Sequence, residues 1–313
     1  MPDDLLRMTN PPSSSPDRFD LAVAYRIYPG VSGDPIFGFK DKLALVRLNL
    51  ESFKAAAGDL KIRLWVLLDH CPPAYAELVM SIFPDPAVDL ILLGGEGNGA
   101  TFRRQIDLLT AQSAADLVYF AEDDYLYLPR SLERAVAFLR RHPSAEFVTL
   151  YDHADYYSKI IHRFRGEELA EDGWRWRAVA STCLTFMARR QALAECAAVF
   201  KTYPQNPDLG LWLALTKTRA FNPGSWFRSL GDGMFFPASQ VLAWRYAWRH
   251  LLLGKRRKLW APAPSLATHM ENSGLAPGVN WKEVFGPRAS RLNDSPGPGA
   301  AQTLPTSPPG TRS

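Results

Sequence analysis

The chain has 313 residues, 22% of them charged and 47% hydrophobic, with a formal net charge of +4. That length holds one large α/β domain or two small ones, and the composition excludes a fibrous or wholly disordered chain. So small a net charge gives no ground for a nucleic-acid partner, and the scattered Cys71, Cys183 and Cys196 exclude a CxxC metal site or disulfide framework and fit a reducing compartment. No stretch is apolar enough over its length to span a bilayer, and the N-terminus lacks the basic-then-apolar pattern of a secretion signal, so a cytoplasmic protein, soluble or peripheral to a membrane, is expected.

Residues 1–17 are rich in Pro, Ser and Asp, and residues 286–313 contain Pro-Gly-Pro-Gly and Ser-Pro-Pro-Gly; both are expected to be disordered tails around one domain at 18–285. Within it, residues 19–27 predict a strand with Leu21, Val23 and Tyr25 on one face. Residues 41–57 predict a helix with Leu43, Val46, Leu50 and Phe53 at helical spacing. Residues 62–68 form a continuous apolar run, as in a buried parallel strand. A short helix over 75–83, a strand over 88–93, a glycine-rich turn over 94–99 and a helix over 101–114 follow. Residues 117–121 predict a fourth strand. Pro129 marks a helix running to Arg141 with Leu132, Val136 and Leu139 inward, and residues 147–151 predict a fifth strand. This alternation implies a mostly parallel central sheet flanked by helices, with ligands beyond the carboxyl ends of its strands.

The fourth strand runs straight into Glu122-Asp123-Asp124, with Tyr125 and Tyr127 behind. Carboxylates crowded at the end of a buried strand repel one another and are costly to desolvate, a cost that Mg²⁺ or Mn²⁺ holding a phosphorylated ligand would remove. A solvated loop is the plainer explanation of the same residues. Asp69 ends the second predicted strand on the same rim. Gly94 to Gly99 lacks both the dinucleotide fingerprint and the Lys-Ser/Thr of a P-loop, and so reads as a turn. Arg103 and Arg104, just after it, could reach a diphosphate or could simply form an exposed helix face.

These pieces, in this order, resemble the GT-A fold glycosyltransferases, and within them the inverting, metal-dependent, family 2-like bacterial enzymes. The resemblance rests on the 19–27 strand, the helix containing Lys42-Leu43-Ala44-Leu45-Val46, the strand end Trp65-Val66-Leu67-Leu68-Asp69, the segment Gly97-Asn98-Gly99-Ala100-Thr101-Phe102-Arg103-Arg104-Gln105, and Phe120-Ala121-Glu122-Asp123-Asp124. Gln105 stands where Asn is usual, and Glu-Asp-Asp replaces the commoner Asp-x-Asp. The resemblance implies a GT-A-like single domain, with residues 18–151 binding a nucleotide-diphosphate sugar and 152–285 binding a glycan, lipid-linked or other hydroxyl acceptor. It implies that Asp69, with Tyr25 and Arg26, contacts the nucleoside. Asp124, helped by Asp123 and Glu122, holds Mn²⁺ or Mg²⁺, and His269, in Thr268-His269-Met270, contacts the metal or diphosphate. Asp208 matches the family's catalytic base ahead of a Trp-containing helix, though an acid there is also an ordinary N-cap; Asp152 and Asp155 are the next carboxylates for that role.

In the second half, residues 177–187 predict a strand of small residues that would leave room for an acceptor sugar or allow close packing, and a helix follows over 190–200. Trp174-Arg175-Trp176-Arg177 reads as an edge strand or part of an acceptor cleft. Residues 241–258 combine Trp, Tyr and Leu with Lys255-Arg256-Arg257-Lys258, which suits a helix on an anionic membrane surface or a packing helix with a solvated basic end. The expected activity is metal-dependent glycosyl transfer with inversion in glycan or polysaccharide synthesis. The alternatives are a catalytically degenerate relative acting as a membrane-associated assembly partner, and a sugar-phosphate nucleotidyltransferase. The latter should carry Gly-x-Gly-x-x-Arg after the first strand, which Tyr25-Arg26-Ile27-Tyr28-Pro29-Gly30 does not resemble.

Overall fold

The computed structural model describes residues 19–30, 33–163 and 166–294; the expected tail at 1–17 and the tail beyond residue 294 lie outside the described residues. The elements run β1 (Leu21–Ile27), α1 (Lys42–Ala57), β2 (Ile62–Asp69), α2 (Pro73–Ile82), β3 (Val88–Leu93), α3 (Gly97–Ala111), β4 (Leu117–Glu122), β5 (Tyr125–Tyr127), α4 (Ser131–Arg141) and β6 (Phe147–Val148). They continue α5 (Asp155–Ser158), β7 (Glu168–Glu171), β8 (Trp174–Val179), β9 (Phe186–Arg189), α6 (Arg190–Phe200), α7 (Asp208–Thr216), α8 (Pro223–Ser229), α9 (Phe235–Leu253), β10 (Leu259–Ala263), β11 (Ala267–His269) and α10 (Trp281–Asp294).

Nine strands form the central sheet in the order β3-β2-β1-β4-β9-β6-β10-β8-β7. Only β9 and β8 oppose the common direction, so the sheet is mostly parallel, as expected, and its β3-β2-β1-β4 half is wholly so. Helices cover both faces. Against one lie Val46 and Phe53 of α1, Val79 of α2, Leu139 of α4 and Trp281 of α10. Against the other lie Ile106 of α3, Leu193 of α6, Trp212 of α7 and Leu251 of α9. Burial on both faces explains why β1 is apolar at consecutive positions: Leu21, Val23 and Tyr25 pack on the first side, Ala22 and Ala24 on the second. α7 is interior throughout, with Leu209 to Thr216 all buried, and α9 packs along it. Each such Leu or Trp contributes roughly 1.5–3 kcal/mol relative to exposure.

The structure departs from the sequence-based boundaries at several places. α3 starts at Gly97, inside the segment read as a turn, because Asp69 binds the amides that open it. The strand expected over 177–187 is two strands, the end of β8 and the start of β9, joined by a loop over 180–185. There Thr182 donates to Thr149 Oγ1 (2.9 Å) and Thr185 to Glu122 Oε2 (2.8 Å), so side chains replace the ladder. The fifth predicted strand shortens to β6, and α10 carries helix past residue 285, to Asp294, where a disordered tail was expected. Trp174-Arg175-Trp176-Arg177 belongs to β8, between β10 and β7, with Trp176 stacked on Phe138 at 4.3 Å; it is a packing strand and not a sheet edge. The basic run after α9 is paired internally. Lys255 and Arg257 meet Glu146, Arg257 also meets Glu195, Lys258 meets Glu167, and Arg256 donates to the Thr216 carbonyl. Among the described residues no helix is long and apolar enough to cross a membrane.

A two-stranded ribbon that sequence reasoning missed completes the frame. β11 pairs antiparallel with β5, setting His269 opposite Tyr125 and therefore beside Asp124.

Candidate functional site

The carboxyl ends of β1, β2 and β4 open onto a cavity of about 430 Å³ walled by Arg26, Lys42, Asp69, Glu122, Asp123 and Asp124, among others. This is where a parallel sheet offers a ligand site, because the helix N-termini and strand ends converge there.

Asp69 is buried, and its carboxylate accepts from the amides of Gly95 (2.8 Å), Glu96 (2.8 Å) and Gly97 (2.9 Å). The turn needs positive φ at Gly95 (94°) and Gly97 (81°), which explains the glycines. Burial pushes the Asp69 pKa up, but the three amides outweigh it and hold the group below the usual carboxylate range. Sequence reasoning gave Asp69 to a nucleoside; here its oxygens hold the start of α3, and it reaches the cavity as part of the wall.

Each of the three consecutive acids has its own counter-group. Glu122 pairs with Arg26 through one oxygen and accepts from Thr185 through the other (2.8 Å). Asp123 takes Lys42 Nζ at 3.1 Å and the Tyr28 amide at 3.1 Å. Burial, opposed by Lys42 and reinforced by the charge of Asp124, pushes Asp123 up to about 6. Asp124 Oδ2 lies 3.1 Å from His269 Nε2. Burial raises the Asp124 pKa and lowers that of His269, but their mutual hydrogen bond and attraction win in both cases, so the acid stays low and the imidazole goes up. The chain thus supplies from within much of the positive charge that the acid run demands.

That arrangement bears on the expected metal set of Glu122, Asp124 and His269. Among the described residues no group of three or more His, Cys, Asp or Glu is poised around a common ion, and Glu122 is engaged by Arg26 and Thr185. Two donors remain, and both carry an orphaned atom: Asp124 Oδ1 and His269 Nδ1 are buried without a hydrogen-bond partner. Asp124 Oδ1 fits one ligand of Mg²⁺ or Mn²⁺ that completes its shell with water and ligand phosphate, and His269 would add a nitrogen by releasing Asp124; the two do not make a closed, all-protein site.

Three other expected site residues are not among those that wall the cavity. Tyr25 is fully buried and donates to Asn49 Oδ1, because its strand faces α1. Arg103 donates to the Lys201 carbonyl (3.4 Å) and Arg104 pairs with Glu96, so both lie on the outer side of α3, away from the cavity. Three residues overlooked in the sequence matter instead. Lys42 opens α1 against Asp123. Asn98 accepts from Arg26 and donates to Tyr203 Oη at 2.7 Å. Asn49 donates to the Tyr125 carbonyl at 2.6 Å and the Glu122 carbonyl at 3.3 Å, holding the acidic turn from below. A single Asn among apolar residues at helical spacing was the available signal for the last. Gln105, which departs from the family pattern, ties β1 to β4 by donating to the carbonyls of Ala24 (2.7 Å) and Ala121 (3.2 Å).

A second cavity, about 80 Å³, is walled by His153, Asp155, His162, Cys183, Asp208 and Phe236, among others. Pro207 is the cap of α7, so Asp208 is its first helical residue and not the N-cap; its carboxylate accepts from the Leu209 amide at 2.7 Å. Burial, opposed by that amide and reinforced by the charge of Glu122, pushes Asp208 up. Cys183 lines the small cavity beside Asp208. Burial, then the charges of Asp208, Glu122 and Asp124, push its thiol up. Asp152 is engaged by Arg177 and by Tyr157 Oη (2.5 Å), whereas Asp155 reaches the cavity wall.

His162 makes this cavity acid-sensitive. Burial, then His153, Arg177 and Arg219, push its pKa down from 6.5 to about 3. A depressed histidine favours folding while it is neutral, and that stability is lost as pH falls from the unfolded value of 6.5 towards 3. Urea unfolding of His162→Gln at pH 7 and pH 5 should show about 2 kcal/mol less loss than the wild type over that interval. Equal losses in the two proteins would remove His162 as the cause.

No protein-family model matches the chain, and no curated protein matches it. Similar solved structures include TarS residues 1–349 from S. aureus in complex with UDP-GlcNAc, at 11% identity over 74% of this chain and 73% of that one, with a TM-score of 0.42. They also include CMP:2-keto-3-deoxy-manno-octonic acid synthetase complexed with CTP (16% identity, 65% and 86%, TM-score 0.38). A third is a cytidylyltransferase from Leptospira borgpetersenii serovar Hardjo-bovis (10% identity, 57% and 64%, TM-score 0.33). Likeness this distant says nothing about activity.

Proposed function

We propose that the chain is a glycosyltransferase that moves a sugar from a nucleotide-diphosphate donor to an acceptor hydroxyl, with inversion. One observation carries the reading. A large cavity at the parallel strand ends is walled by Asp124, whose Oδ1 has no hydrogen-bond partner and whose other oxygen meets His269, and a small cavity is walled by Asp208 and Cys183. A donor and an acceptor need two such chambers.

Asp124 and His269 would hold Mg²⁺ or Mn²⁺, which when bound offsets charge on the departing diphosphate. The rest is done by the chain. Arg26 and Asp123 wall the donor cavity, Asp69 fixes the turn that closes it, and Lys42 adds a cation beside the acids. Asp208 takes the proton of the attacking hydroxyl, a role that its raised pKa favours at neutral pH. Residues 18–151 form the donor half and 152–285 the acceptor half; the named walls of the two cavities, Arg26 to Asp124 and His153 to Phe236, support that division.

The test is a panel of UDP-, GDP-, dTDP- and CMP-sugars incubated with the protein and Mn²⁺, read as nucleotide release and sugar transfer. Turnover of at least one donor is expected. Pyrophosphate release from CTP and a sugar acid would assign a nucleotidyltransferase, and donor binding without turnover would assign a degenerate partner.

A further inference from the structure

The interior side of α9 carries Phe236, Gln240, Ala243, Ala247 and Leu251 against the core. Its opposite side carries Val241 and Arg245 before a kink at Ala247 (φ −127°) and Trp248 and Leu252 after it, all four exposed, with Arg249 and Leu253 beside them. These are exposed to an unusual degree for apolar residues: Val241 by 56%, Trp248 by 47% and Leu253 by 83%. The helix contains no Asp or Glu. Its two exposed arginines lie over neighbouring rings, Arg245 over Tyr246 (5.6 Å) and Arg249 over Trp248 (5.5 Å), and neither pairs with a carboxylate among the described residues.

We propose that the outward face of α9 docks on the surface of an anionic phospholipid bilayer. Apolar residues with Trp and Tyr, flanked by arginines and free of acids, are what an interfacial helix presents to acyl chains below and phosphates above. Charge decides against a second copy as the occupant. A two-fold contact would bring together two copies of an arginine-bearing helix face that has no acid of its own to offset them. The basic run 255–258, the obvious source of membrane attraction in the sequence, is not the docking element, because its side chains are held by Glu146, Glu167, Glu195 and the Thr216 carbonyl. The inference does not depend on the enzyme reading.

Co-sedimentation of the full chain with vesicles tests it. Binding is expected to equimolar phosphatidylcholine and phosphatidylglycerol, and to be at least about tenfold weaker to phosphatidylcholine alone. Trp248→Ser with Leu252→Ser should lower the partition by more than about tenfold. Arg245→Ser with Arg249→Ser should lower it by about fivefold for each cation removed. All four side chains are outside the core, so circular dichroism and melting should stay near wild type. Lys255→Ser with Lys258→Ser should bind almost as the parent does. Wild-type protein left in the supernatant overturns the proposal, as does loss of binding confined to the Lys255 and Lys258 variant. A dimer in ultracentrifugation that Leu252→Ser dissolves, without vesicle binding by the parent, would give the face to a second copy instead.

Discussion

Asp124→Asn is expected to lower nucleotide release from the preferred donor by at least about 10³-fold and to abolish Mn²⁺ binding in calorimetry. Asn keeps the shape but removes the negative charge and one hard anionic oxygen, while the backbone bond from the Met270 amide to the residue-124 carbonyl (2.7 Å) remains. The fold should therefore persist, with some loss of melting temperature from the weakened His269 pair. Glu122→Gln is the contrasting variant. Its carboxylate serves Arg26 and Thr185, so its loss should appear in thermal stability while Mn²⁺ affinity persists. Equal loss of metal binding in both variants would mean that the acid run acts as one diffuse negative patch, with no privileged ligand.

Asp208→Asn should leave donor affinity near wild type and reduce transfer by roughly two to four orders of magnitude, the usual contribution of a general base. The side chain accepts one backbone amide, from Leu209, which Asn can also satisfy. A helix-terminal role alone predicts almost no change in turnover. Near-normal turnover at saturating donor and acceptor would move the search to Asp155, which reaches the same cavity wall, and not to Asp152, which Arg177 and Tyr157 already hold.

What could be read from the sequence was what neighbours along the chain decide. β1, β2, β3, α1 and α6 lie where apolar runs or helical spacing placed them, because both sheet faces are covered and each element carries its own pattern. The acid run and Asp69 reached the expected rim for the same reason: they end strands. What could not be read was which group each acid meets. Arg26, Lys42 and His269 come from β1, α1 and β11, and only the folded register brings them to Glu122, Asp123 and Asp124. The β5–β11 ribbon is three residues a side with well over a hundred residues between its strands, too short and too distant to leave a periodic trace. Arg103 and Arg104 misled because proximity to a glycine-rich turn says nothing about which side of a helix a residue takes. The 180–185 loop misled because its small residues suit a strand, yet Thr182 and Thr185 satisfy themselves through side chains.

The amides that open α3 have a consequence for the order in which ligands arrive. A helix N-terminus is a natural seat for phosphate, but here Asp69 already fills it. The cavity wall then sets four carboxylates, Asp69, Glu122, Asp123 and Asp124, against two fixed cations, Arg26 and Lys42. Left to itself that excess of two carboxylates would repel a diphosphate, and a divalent ion would cancel it. Binding should therefore be sequential and compulsory, cation first and nucleotide second. Titration should find Mn²⁺ taken up by the protein alone and UDP ignored until Mn²⁺ is present; tight UDP binding in EDTA would show that the chain's own cations suffice. Built this way, the proposed donor site would stay closed to free polyanions and admit only the one that meets a loaded ion.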